Sequence, residues 1–192
     1  KLKCAMIWVP LLIVVVGSIL LVQTSRAGYE SAAYEVERQK GKFEVRRYEE
    51  LVVATTPMTD ENGSFGRLFR YISGANEAEQ KIAMTTPVFM PANEGGIVEE
   101  MQFVVPAAVA KSGTPKPEQE TVTVKTVRGG TYAALRYSGR NSKTARIAKL
   151  KELREILKEE GLQSVGDPIF AGYDPPWTPA PIRRNEVLLK LK

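Results

Sequence analysis

The chain has 192 residues, with 27 Lys and Arg against 22 Asp and Glu, one cysteine and no histidine. The missing histidine removes the commonest general base and the commonest metal ligand together. The only thiol, Cys4, sits near the start, so the rest of the chain has neither a disulfide nor a cysteine nucleophile and must be held by its core.

The first element is apolar. Residues 5–22 read AMIWVPLLIVVVGSILLV without a charge, after Lys1 and Lys3. A charged start, an apolar run and then small polar residues predict an export signal, with Ser25 and Ala27 spaced for cleavage before Gly28. The run is almost long enough to span a bilayer, so a cleaved signal and a retained anchor through residues 5–22 both remain open. Either places the bulk of the chain outside the cytoplasm. The predicted organisation is residues 1–27 as signal or anchor and residues 28–192 as one domain. Without the first 27 residues the basic and acidic counts are 24 and 22. That balance, interspersed in sign, argues against a nucleic-acid partner, which needs a concentrated basic face.

Tyr34–Arg38 and Phe43–Tyr48 alternate apolar and charged residues around Lys40-Gly41-Lys42, which predicts a hairpin. Residues 51–56 form another strand, ended by Pro57, and residues 60–63 a turn. Ser64 then caps a helix. Phe65, Leu68, Phe69 and Ile72 recur at helical spacing and predict its core face, while Arg67, Arg70 and Tyr71 fall off that stripe. Residues 81–91 are extended, 101–105 a strand and 111–119 a surface loop. Residues 121–127 and 131–137 are strands around an Arg128-Gly129-Gly130 turn. A longer helix runs from about Ser142 to Glu160, with Ile147, Leu150, Leu153 and Leu157 as its apolar stripe. Residues 169–179 are extended and 186–191 form the last strand.

The order of elements repeats. Ala83, Pro87, Phe89 and Pro91 match Ala171, Pro175, Trp177 and Pro179 at an offset of 88. This reads as a duplicated β-α-β-β unit whose two copies cover each other's apolar faces. Short connections favour antiparallel pairing, so the expected class is α+β, with helices on a mostly antiparallel sheet.

Lys81-Ile-Ala-Met-Thr-Thr-Pro-Val-Phe89, preceded by Tyr71-Ile-Ser-Gly74, resembles the SOUL haem-binding protein family. The opening strands 34–48, the segment Gly172-Tyr-Asp-Pro-Pro-Trp-Thr-Pro179 and the strand start Arg184-Asn-Glu-Val187 fit the same pattern, so the resemblance covers roughly residues 33–191. It implies two β-α-β-β repeats forming a distorted, barrel-like antiparallel sheet with two flanking helices. It also implies a groove for haem or another tetrapyrrole between residues 64–73 and 173–181. The absence of histidine departs from members thought to use an axial histidine. The alternative implied by related folds is a small-molecule-binding or hydrolase module of the regulator effector-domain type.

A porphyrin is an apolar plate with carboxylates at one edge. It needs an apolar slot and one or two cations at the mouth. Arg67 and Arg70, beside Tyr71, supply cations on the helix, and Arg183 supplies one near the loop that carries Tyr173 and Trp177. Each has a plainer reading: helix arginines are usually solvated, and Trp177, the counterpart of Phe89, fits equally as a core plug. Met84 is a possible soft iron ligand, although a methionine there usually fills a core gap; Met58, Met90 and Met101 have the same standing. Tyr71 or Tyr173 could ligate ferric iron, but affinity from burial of the macrocycle without a strong axial bond is the expectation. No catalytic set is visible: Glu49-Glu50 and Glu99-Glu100 are neighbours on strands and point to opposite faces. The chain therefore reads as a binder rather than an enzyme.

Overall fold

The computed structural model describes residues 28–175 and 177–192. Residues 1–27, expected to be an export signal or anchor, lie outside the described residues. Among the described residues, no helix is long and apolar enough to cross a membrane.

The strands are β1 (Glu30–Ser31), β2 (Tyr34–Lys40), β3 (Phe43–Tyr48), β4 (Leu51–Pro57), β5 (Thr85–Thr86), β6 (Val88–Pro91), β7 (Glu100–Val104), β8 (Thr123–Val127), β9 (Gly130–Ser138), β10 (Ser164–Gly172) and β11 (Arg184–Leu191). The helices are α1 (Glu61–Ile72), α2 (Ala107–Ser112) and α3 (Lys143–Glu159), with a 3-10 turn at Ala180–Ile182. Nine strands form one antiparallel sheet in the order β2-β3-β9-β11-β10-β6-β7-β4-β8. Its two ends, β2 and β8, do not pair, so the sheet is open and not the barrel-like form expected. The mixed α+β class stands. The short β1 pairs in parallel with β5, with Glu30 opposite Thr85 and Ser31 opposite Thr86.

The two-residue period of the strands sorts the core. Ala133, Leu135, Val187, Leu189, Phe170 and Met90 pack under Leu150, Leu153 and Leu157 of α3. Ala54, Met101 and Phe103 pack under Leu68, Tyr71 and Ile72 of α1. The alternate residues Tyr48, Val53, Phe89, Tyr132, Ala134 and Leu188 form an aromatic-rich layer on the other face.

The start of α1 differs from the expectation. Asp60 is the cap, accepting from the Gly63 amide at 2.7 Å, so residues 61–63 are the first turn of the helix. Ser64 lies within it, fully buried, where its hydroxyl donates to the Pro57 carbonyl at 3.2 Å and accepts from the Thr59 amide at 3.3 Å. The buried stripe is therefore Ser64, Leu68, Tyr71 and Ile72. Phe65 and Phe69 stand on its flank, and Phe69 is 49% exposed. The offset of 88 does not pair equivalent places: Phe89 is buried, whereas Trp177 is 81% exposed and plugs no core.

Candidate ligand groove

Phe65 and Phe69 are one turn apart on α1, with rings stacked at 6.0 Å between centroids. They form the helix wall of a cleft with a cavity volume of about 310 Å³. The opposite side is built from Tyr29, from Met84, Thr86 and Val88 around β5 and β6, and from Gly172, Tyr173, Asp174, Pro175 and Trp177. A second hollow of about 450 Å³ shares Asn62, Phe65, Val88, Gly172 and Asp174 with the first, so the two adjoin. Its polar lining holds Arg140 and Arg183 together with Glu61, Asp174, Asn141 and Asn185. The first hollow is thus mainly apolar, and the second holds two guanidinium groups and two carboxylates. Each hollow falls within the roughly 300–1,000 Å³ typical of small-molecule sites.

The sequence-predicted residues divide. Met84, Tyr173 and Trp177 line the apolar part, and Arg183 lines the polar part. Arg67 and Arg70 line neither hollow. Arg67 bridges the start of α1 to the end of β4, donating to the Thr56 hydroxyl at 2.9 Å, the Pro57 carbonyl at 2.7 Å and the Ser64 hydroxyl at 3.0 Å. Arg70 is exposed and reaches Gln119 at 3.4 Å. Tyr71 is fully buried and its hydroxyl donates to the Pro115 carbonyl at 2.8 Å; burial pushes this phenol up to about 12. Sequence reasoning did not single out Tyr29, Asn62, Phe65, Phe69, Val88, Asp174 or Arg140 as groove residues. The i, i+4 pair of phenylalanines was the available signal, and it was assigned to the core.

The loop wall rests on a buried ionic cluster. Arg46 donates to Glu186 through both terminal nitrogens, at 2.6 and 3.0 Å. Arg184 donates to the same carboxylate at 2.6 Å, and the Tyr173 hydroxyl donates to it at 2.9 Å. Burial pushes the Glu186 carboxyl up, but the hydrogen bonds and charges of Arg46 and Arg184 together outweigh it and hold the group below its ordinary value. Burial and the neighbouring Glu186 charge raise the Tyr173 phenol well above its own. The guanidinium of Arg184 lies 4.0 Å from the Tyr173 ring centroid, and that of Arg46 lies 4.3 Å from the Tyr34 ring. The Arg184 amide donates to the Asp174 carboxylate at 2.5 Å, and Arg183 donates to the Thr178 carbonyl at 2.6 Å. These bonds fix the loop that forms the groove's far wall.

The family model of SOUL heme-binding proteins matches residues 29–190. Among curated relatives, "Heme-binding protein 1" of Sus scrofa is 26% identical over 80% of this chain and 86% of its own length. "Heme-binding protein 2" of Mus musculus is 28% identical over 82% of each chain. Among solved structures, the C-terminal domain of EcmrR superposes with a TM-score of 0.56 at 14% identity, over 78% of this chain and 96% of that domain. A hydrolase from Listeria innocua superposes with a TM-score of 0.53 at 10% identity, over 81% of this chain and 94% of the other. These two likenesses concern the fold alone.

Proposed function

This chain belongs to the SOUL heme-binding protein family, and from that premise we propose that the groove between α1 and the Gly172–Trp177 loop binds haem or another tetrapyrrole. The observation that carries the reading is the polarity of the groove. Phe65, Phe69, Met84, Val88, Pro175 and Trp177 offer an apolar slot for a macrocycle, and Arg140 and Arg183 stand at the other end, where propionates need cations. Its relatives from pig and mouse, both named heme-binding proteins, support the same ligand.

The residues present fit such a group. Phe65, Phe69 and Trp177 would hold its apolar face, and Arg140 and Arg183 would hold its charged edge. A bound haem would bring redox-active iron; the chain's own part is to hold the plate and shield it from water. Buffering, carriage or storage follows from this arrangement better than catalysis. The apolar residues 5–22 support export, with the domain released or tethered outside the cytoplasm.

Titration of the full chain with haemin, followed in the visible spectrum, tests the reading. Saturable binding at micromolar haemin is expected. The combined variant Arg140→Ala, Arg183→Ala should weaken haemin strongly and its dimethyl ester hardly at all. No saturable change in the wild type would refute the proposal.

A further inference from the structure

A bound iron tetrapyrrole in this groove would meet a protein with no imidazole, because the chain has no histidine. Donors must come from oxygen or thioether groups on the wall. Three tyrosines lie near. The Tyr71 phenol is turned into the protein and donates to the Pro115 carbonyl. The Tyr173 phenol is buried and donates to Glu186. Tyr29 is different. It is only partly buried and lines the apolar part of the groove.

The backbone explains its place. β1 and β5 pair in parallel with Glu30 opposite Thr85. Tyr29 and Met84 each precede this pair by one residue, and both side chains line the same cleft. A phenol and a thioether thus stand on the strand side, with Phe65 and Phe69 on the helix side. Ferric iron is a hard ion and prefers an anionic oxygen to a neutral thioether, and tyrosinate is an established type of haem ligand.

We infer that Tyr29 is the axial ligand to ferric iron when an iron tetrapyrrole occupies the groove. Tyr29 gives its phenolic proton to solvent, and its oxygen forms the bond to iron in place of the water or chloride that haemin carries in. Iron stays ferric throughout, and one proton is released for each ligand bound. Met84, beside it, contributes apolar contact. The inference rests on the groove reading above but fails separately from it.

The test uses the full chain, its Tyr29→Phe and Met84→Leu variants, and two probes: haemin and metal-free protoporphyrin IX. Wild type should bind metal-free porphyrin saturably, followed by its fluorescence, and circular dichroism should show all three proteins folded. With haemin, wild type and Met84→Leu should show a phenolate-to-iron charge-transfer band and phenolate modes in resonance Raman spectra. Tyr29→Phe should lose both. Identical ferric spectra in wild type and Tyr29→Phe, with metal-free binding intact, would overturn the Tyr29 assignment and leave the groove standing. Failure of wild type to bind metal-free porphyrin would overturn the groove reading and this assignment with it.

Discussion

Removing the Phe69 ring isolates the groove from the core. The residue is 49% exposed, and its stacking partner Phe65 holds the contact with Phe103 deeper in, at 5.1 Å. A phenylalanine buries about 150–250 Å² when fully covered, so roughly 100 Å² of Phe69 remains for a ligand to cover. At about 25 cal/mol per Å² that area contributes about 2.5 kcal/mol. Since about 1.4 kcal/mol is tenfold in affinity, the ceiling for Phe69→Ala is roughly a sixtyfold loss. A flat ligand covers one side of the ring only, and ordering costs take a share, so a loss of about ten- to thirtyfold is expected. The exposed half contributes nothing to folding, and the buried half, of about equal area, limits the stability cost to about 2.5 kcal/mol by the same conversion. Titration with protoporphyrin IX gives the first number and urea unfolding the second. An unchanged porphyrin affinity in a folded Phe69→Ala protein would refute the placement of the ligand against α1.

Arg67→Ala should leave haemin affinity unchanged and lower stability by about 1–2 kcal/mol, because its hydrogen bonds join α1 to β4; calorimetry and the haemin titration together check this. Glu186→Gln strands the buried guanidinium of Arg46 and should cost about 3–5 kcal/mol in urea unfolding. The pH dependence has a definite sign. The folded carboxyl is held below its unfolded value, so its stabilisation is full above the ordinary carboxylate value of about 4 and is lost as pH falls through the lower folded value. Wild type should lose stability on acidification through that window more steeply than Glu186→Gln, and parallel profiles would remove Glu186 as the cause.

Strand order within each local unit and both long helices were legible because they depend on periodicity and on turn signals. The face of α1 was not. Two stripes fit its sequence at helical spacing, Ser64/Leu68/Tyr71/Ile72 and Phe65/Leu68/Phe69/Ile72, and hydropathy selects the second. The structure selects the first because Ser64 satisfies its hydroxyl locally, while the two phenylalanines are left at the surface of the groove. That single rotation moves Tyr71 into the core and turns Arg67 back toward β4. The helix α2 was invisible for a related reason: it buries no residue and has no side-chain cap, so it carries neither stripe nor start signal. Nothing in the sequence alone joins Arg46 to Glu186. Their pairing spans 140 positions and exists only because β3, β9 and β11 lie side by side.

That cluster bears on why a groove persists at all with an exposed tryptophan on its rim. A buried ion pair is weak evidence for stability, since desolvation consumes most of its attraction. Its effect here is positional. Glu186 collects Arg46 from β3, Arg184 at the start of β11 and the Tyr173 hydroxyl at the end of β10. Asp174 is bound in turn by the Arg184 amide, and Asn185 donates to the Gly139 carbonyl at 2.9 Å, next to Arg140 of the polar hollow. An apolar substitute at 186 could fill the same volume but could not fix the directions of three donors. The loop base therefore cannot collapse onto Phe65 and Phe69 to hide them, and their area stays available to a ligand. A wall set in advance loses little freedom on binding, so the apolar surface of Phe69 and Trp177 converts to affinity more fully than it would on a mobile loop.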